Sequence, residues 1–402
     1  MSGIDPAKNE PESRLKSLGA LGQAVWLDFI DRSFLASGNL AQMIDQDGVS
    51  GVTSNPSIFQ RAIAQSSNYD EQLLAEWKRP GATPRTVYDA LVATDVSKAA
   101  DILLPTYRRS GGCDGYVSVE VSPDLAFDTA RTIDEARRLW TLISKPNLMV
   151  KIPGTEAGIV ATRQLIEEGI NINVTLLFAV ERCAEVLEAH ISGLENRSNR
   201  GHAVDHVAGV ASFFVSRIDV EVDSEIDRRI AAGDSQSDPL RLLKGSIAIA
   251  SAKRAYHHYL ATTKGSRWRI LADKGALPHR LLWASTGAKN PEYSDVLYVD
   301  RLIGRGTINT MQPQTMDAFR DHGTVAQTLG SGIEEARAIL RRAKELGINL
   351  DRITAELLRT GIDQFKQATA ATIQAIIEKH EPEYPPIAGS QISNGLAGAS
   401  QA

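Results

Sequence analysis

Cysteine is nearly absent from this chain of 402 residues: Cys113 and Cys183 stand alone, far apart and without the spacing of a metal-binding pair. That excludes a disulfide framework and leaves two thiols suited to a reducing compartment. No apolar run reaches the length that crosses a membrane. The opening segment, polar and carrying Pro6 and Pro11, does not read as a signal peptide. Nor is there a block of Lys and Arg interleaved with aromatics of the kind that meets nucleic acid. The formal net charge of -5 provides no general field for polyanions, so an anionic ligand must be met locally. The expectation is a cytoplasmic protein, monomer or homodimer, whose partners are small molecules, with no nucleic acid and no membrane.

What the chain does have is a regular alternation. Apolar runs at 24–30, 51–56, 115–121, 148–153, 170–178, 209–215, 280–287 and 306–311 read as strands, and the segments between most of them carry helical periodicity. Eight strands separated by helices, with no hairpin signal and no internal repeat, point to an α/β fold, a closed (β/α)8 TIM barrel with additional helices. An open doubly wound sheet is the rival, but no glycine-rich phosphate loop follows the first strand. Residues 1–20 are expected to form an N-terminal arm, 21–381 the barrel and 382–402 a flexible tail. Helices are expected over 333–345 and 353–379, and the second should cover part of the barrel mouth.

Active sites of such barrels are built at the C-terminal ends of the strands. Asp28, Asn55, Glu120, Lys151, Thr175, Ser212 and Ser285 all fall there. Period-two alternation also places Thr53 with Asn55, Ser118 with Glu120, and Asn173 with Thr175 on common faces. Lys151 is set among Met149, Val150 and Ile152 and is followed by Pro153-Gly154. An ammonium is costly to bury, and the neutral amine that burial favours is a nucleophile able to form a Schiff base. The plain alternative is a lysine whose stem lies on apolar surface while its head reaches water. Two carboxylates at other strand ends, Asp28 and Glu120, favour the imine: in distinct environments one can take a hydroxyl proton while the other manages water, and neither role needs a metal. No cofactor is expected.

Five segments in this order, Val52-Thr53-Ser54-Asn55-Pro56-Ser57, Ser118-Val119-Glu120-Val121-Ser122-Pro123, Val150-Lys151-Ile152-Pro153-Gly154-Thr155, Ile172-Asn173-Val174-Thr175-Leu176-Leu177-Phe178 and Phe213-Phe214-Val215-Ser216-Arg217-Ile218, resemble the signature segments of the transaldolase family. The resemblance runs from about Trp26 to about His380. It implies a (β/α)8 barrel that moves a dihydroxyacetone unit from sedoheptulose 7-phosphate to glyceraldehyde 3-phosphate, giving erythrose 4-phosphate and fructose 6-phosphate, in the non-oxidative pentose phosphate pathway. Carried over, it makes Lys151 the Schiff-base lysine, Glu120 its partner through a water shared with Thr175, and Asp28 the acid/base at the hydroxyl where cleavage starts. Asn55, Asn173 and Ser212 would hold the dihydroxyacetone unit and Arg217 the phosphate. Shorter members carry an arginine just after the strand-seven serine. This chain reads Ser285-Thr286-Gly287-Ala288-Lys289, so Lys289 is expected to supply that charge, with Ser285 donating a hydrogen bond, as in the longer bacterial branch of the family.

Two other functions stay in view: cleavage that releases free dihydroxyacetone, as in the related fructose-6-phosphate aldolases, and a sugar-phosphate-binding barrel without catalysis. The run Asp219, Glu221, Asp223 is read as a solvated helix start, and His202 with His206 as a solvated loop without metal.

Overall fold

Eight short strands lie parallel, each beside its neighbour in sequence: β1 (Gln23–Leu27), β2 (Val49–Thr53), β3 (Tyr116–Glu120), β4 (Leu148–Pro153), β5 (Ile172–Leu177), β6 (Gly209–Phe214), β7 (Arg280–Ala284) and β8 (Thr307–Met311). β8 pairs back to β1, so the sheet closes, and helices cover its outer face. The computed structural model describes residues 13–380. The expected (β/α)8 barrel with additional helices is therefore present. β4 and β5 are buried at every position, as parallel strands enclosed on both faces must be.

Alternation divides the barrel interior into a lower and an upper part. Trp26, Tyr116, Met149, Val210, Leu282 and Ile308 form an apolar cluster distinct from the larger core between strands and helices. Two residues further along the same strands come Asp28, Ser118, Lys151, Ser212 and Thr310, which period two brings to the same inward face. A packed apolar layer thus closes the barrel from below, and a polar layer stands on it.

Several strand ends differ from the sequence reading. β2 stops at Thr53, because Asn55 caps the helix Pro56–Ala64 and Pro56 occupies its first turn, where a missing N–H costs nothing. β7 stops at Ala284, and Ser285 turns into the left-handed region at φ 55°.

Part of the expected arm is also structured. Arg14–Ala20 is a helix whose Leu15 and Leu18 are fully buried, three positions apart on one face, and Ser13 Oγ donates to Asp47 Oδ1 at 2.7 Å. Residues 1–12 and the expected tail 382–402 lie outside the described residues. Among the described residues no helix is long and apolar enough to cross a membrane.

The last helix, Leu350–His380, crosses the C-terminal end of the barrel. Its Gly361 lies against Leu176, where a Cβ would come to 2.9 Å of Leu176 Cδ2. Near its end Lys379 Nζ donates to the Ser66 carbonyl at 2.6 Å and to Asp70 Oδ1 at 2.7 Å, and His380 stacks on Trp77 with ring centroids 4.5 Å apart. The helix packs on Pro56–Ala64 after β2, on the turn Pro123–Leu125 after β3, on Ser216–Ala231 after β6 and on β5 itself.

Candidate active site

Register places the candidate lysine and carboxylate side by side. Glu120 at the end of β3 is the neighbour of Lys151 on β4, and Lys151 is the neighbour of Asn173 on β5. Both side chains are buried, 3% exposed for Glu120 and 5% for Lys151. Lys151 Nζ donates to the Ser54 carbonyl at 3.0 Å and lies 3.6 Å from Glu120 Oε2, an ion-pair contact too long for a hydrogen bond. Neither carboxylate oxygen of Glu120 has a hydrogen-bond partner, and neither has Thr175 Oγ1, although all three are buried. Orphaned buried acceptors beside an amine form a site poised for a proton-bearing guest. Burial pushes the Glu120 carboxyl up to about 7, against the pull of the Lys151 charge and with a small further push from Asp28.

Around this pair runs a belt of hydrogen bonds. Ser212 Oγ donates to Asn173 Oδ1 at 2.7 Å, and Asn173 Nδ2 donates to Ser118 Oγ at 3.1 Å, which fixes the Asn173 amide between β3 and β6. Thr53 Oγ1 donates to Asp28 Oδ1 and lies equally close, 2.7 Å, to Thr310 Oγ1. Asp28 is raised above the ordinary carboxylate range by burial, opposed by Lys151, by the Thr53 bond, and by the charges of Arg61 and Arg217.

The other expected residues stand farther out. Arg217, in the first turn of the helix Ser216–Ala231, donates to Gln364 Oε1 at 3.0 Å and lies over the Phe214 ring at 5.5 Å. Ser285 and Ser216 face each other through their hydroxyls at 2.9 Å. Lys289 is exposed and lines a cavity of about 710 Å³ together with Asp28. Asn55 is committed locally, since its Oδ1 accepts from the Ile58 N–H at 3.1 Å. The structure thus brings together Lys151, Glu120, Thr175, Asn173, Ser212 and Asp28, keeps Asn55 in the lining of a small pocket with Ser54 and Glu120, and sets Arg217, Ser285 and Lys289 on the turns that follow β6 and β7, from where the Arg217 charge still acts on Asp28.

A family model described as transaldolase/fructose-6-phosphate aldolase matches residues 25–376. The chain belongs to that family. Among its relatives, the transaldolase of Thiobacillus denitrificans is 47% identical over 90% of this chain and 99% of its own. The transaldolase of Trichodesmium erythraeum is 43% identical over 91% of this chain and 97% of its own, and a protein named transaldolase 2 from a Nostoc species is 44% identical over 88% and 94%.

Within this transaldolase/aldolase barrel, several contributions escape a reading of residue types. The Ser54 carbonyl that receives Lys151 and the Gln364 that receives Arg217 have no signature of their own. The acidic run after Arg217 is a correction: Asp219 and Asp223 are buried rather than solvated. Asp219 accepts from the Ala248 N–H and the Tyr298 hydroxyl, and Asp223 from the Gly245 N–H and the Tyr293 hydroxyl. The available sign was slight, two carboxylates four residues apart with no cation between them, because the tyrosines that enclose Asp219 and Asp223 lie 79 and 70 positions away. Backbone strain also gathers near the site: of the described non-glycine residues in the left-handed region, Leu176 follows Thr175 and Ser285 ends the β7 turn, with Ser144 elsewhere.

Proposed function

We propose that the protein is a Schiff-base transaldolase, transferring a dihydroxyacetone unit from sedoheptulose 7-phosphate to glyceraldehyde 3-phosphate and releasing erythrose 4-phosphate and fructose 6-phosphate. The observation that carries this is the buried amine of Lys151 beside the unbonded carboxylate of Glu120. An amine among apolar strands, next to a carboxyl that titrates near neutrality, is equipped for carbinolamine formation and dehydration.

In this reading Lys151 Nζ attacks the ketose carbonyl, and Glu120, through a water shared with Thr175, delivers the proton that expels hydroxide as water to leave the iminium. Asp28 takes the proton of the hydroxyl on the far carbon of the bond that breaks, so that this carbon leaves as the aldehyde. The electron pair of that carbon–carbon bond moves to the iminium, the aldehyde departs, and an enamine of three carbons stays on Lys151. The acceptor aldehyde is then attacked by the enamine, Asp28 returns the proton to the new alkoxide, and water releases the product ketose. Asn173, oriented by Ser118 and Ser212, is suited to hold the hydroxyls of the three-carbon unit, with Asn55 offering its amide N–H groups. Arg217 supports the phosphate through its planar fork, with Ser285 and Lys289 as further donors. The sequence of steps calls for no metal and no organic cofactor. The Leu350–His380 helix over the mouth favours transfer over release, because it shields the enamine from water.

Aldolase-type cleavage remains the second reading, since the family includes it. The test is intact mass after incubation with fructose 6-phosphate and borohydride, with Lys151→Ala alongside. A dihydroxyacetone-sized adduct on the wild type and none on the variant is expected; no adduct on either would overturn the imine and leave a sugar-phosphate-binding barrel. Release of free dihydroxyacetone in the absence of an acceptor would move the assignment to the aldolase. Cytoplasmic localisation and a monomer or homodimer belong to the same reading, and sedimentation would decide the oligomeric state.

A further inference from the structure

Among the described residues, Leu176 is the only one inside a barrel strand whose backbone is left-handed, at φ 58°. A bulky side chain rarely takes that conformation, and it persists only where neighbours impose it. The pairing of β5 with β6 shows the local cause. Val174 faces Ala211 and Leu177 faces Phe213, so β5 uses one residue more than β6 over that stretch. This is a β-bulge, a feature that re-aims side chains beside active sites. On the other edge of β5 the chain is fixed just before the bulge: Thr175 pairs with Pro153, and its carbonyl accepts from the Gly154 N–H at 2.8 Å. Thr175 Oγ1 is buried and makes no hydrogen bond, so the backbone alone sets its direction.

What imposes the bulge from outside is the last helix. Gly361 lies well inside Leu350–His380, where glycine weakens a helix relative to alanine and calls for a packing reason. The reason is Leu176: a Cβ at position 361 would come to 2.9 Å of its Cδ2 and 3.4 Å of its Cδ1. Thr354 and Leu358, seven and three positions earlier on the same side of the helix, share a cavity wall with Leu176 and Phe178. Leu176, 1% exposed, is thus seated in a notch that the missing Cβ leaves open. We propose that this seat is a positioning device for the imine chemistry: the last helix, through Gly361, holds Leu176 in its bulge, and the bulge aims Thr175 Oγ1 at the water it shares with Glu120. Gly361 and Leu176 are positioning residues, touching no reacting atom and acting through Thr175. Their role rests on the transaldolase reading, which gives Thr175 that water; the coupling between helix and strand rests on geometry alone.

The test measures kcat, KM and the single-turnover rate of imine formation, read by borohydride quench with fructose 6-phosphate, in the wild type, Gly361→Ala, Leu176→Ala and the double variant. Either single change should lower kcat and the imine rate about 10-fold while KM moves less than about 2-fold, because a slightly misplaced group slows the step without weakening the binding. In the Leu176→Ala background, where the seat is already gone, Gly361→Ala should cost less than about 2-fold more. Equal costs in both backgrounds would mean that Gly361 does not act through Leu176, and a raised KM with kcat unchanged would mean that the helix shapes only the entrance; either overturns the device. A full rate in Leu176→Ala, which removes atoms and so avoids overpacking, overturns it too, whether or not Gly361→Ala folds. A crystal structure of Gly361→Ala gives a readout that needs no turnover. Thr175 Oγ1 displaced together with Leu176 supports the coupling even if borohydride trapping fails and the transaldolase reading falls; Thr175 in its wild-type place overturns it.

Discussion

The barrel buries two pairs of titratable side chains, one at each end, and they could hardly be less alike. At the C-terminal ends of the strands Lys151 faces Glu120. At the N-terminal ends His190 and His279 lie with ring centroids 4.9 Å apart, both fully enclosed, against Gly209 at the start of β6. Burial pushes His190 down to about 4, against an opposing pull from the Leu277 backbone, and His279 is lowered too, by burial and then by His190. Like charges in an apolar site leave both rings neutral, and they pack as flat, weakly polar wedges. Unbonded buried atoms occur at both ends, His190 Nδ1 and Nε2 below and the Glu120 oxygens above; only the upper pair combines opposite charges with a belt of hydroxyls and amides. Burial of a titratable group is therefore a poor sign of chemistry by itself; complementary charge and polar company distinguish the two ends.

The comparison can be broken most forcefully at Glu120. Glu120→Gln keeps the shape and removes the proton carrier, so kcat should fall about 100- to 10,000-fold, and the limb of the pH–rate profile near 7 should vanish. A variant with a full rate, or a retained limb, would remove Glu120 from the proton transfers.

At the lower end the largest effect should be on stability alone. A Cβ on Gly209 would come within 2.4 Å of both His190 and His279. Gly209→Ala should therefore cost about 1–3 kcal/mol, seen as a lower melting temperature, with the rate per folded molecule unchanged.

The two pairs should also respond oppositely to pH. His190, near 6.5 when unfolded and about 4 when folded, contributes stability that is complete above 6.5 and lost as pH falls through 4, on the order of 3 kcal/mol. Glu120, near 4.5 unfolded and about 7 folded, has the reverse sign: its contribution is complete below 4.5 and is lost as pH rises through 7. Melting curves across pH 4 to 8 should show His190→Leu flattening the acid limb and Glu120→Gln flattening the alkaline one. The smallest effect is expected at the rim, where Gln364→Ala frees Arg217 and should raise KM for sugar phosphates only about 3- to 10-fold.

Much of this site was legible in the residues. Lys151, Glu120 and Asp28 stand out because charged side chains ending apolar strands are rare, and alternation alone predicted that Thr53, Ser118 and Asn173 would face inward with them. Asn55 shows the limit: its place at a strand end was right, but followed by proline it became a helix cap, a local bond that residue type does not separate from a ligand. Asp219 and Asp223 looked solvated because a helix start rich in acid usually is; only the docking of Tyr293 and Tyr298 from the β7–β8 connection encloses them. Leu15 and Leu18 were too few to announce a helix before its site of burial was known.

The sequence by itself determined the barrel and its strand order, and put one lysine and two carboxylates at strand ends as candidates, because period-two and helical patterns are local and each strand carries its own polar end. Tertiary structure alone decided which partners meet across the barrel. Lys151 reaches the Ser54 carbonyl 97 positions away, Arg217 reaches Gln364, and Arg61 with Lys289 shares a cavity with Asp28. Closure of the sheet and the passage of the last helix over its mouth set those distances, and no stretch of sequence contains them.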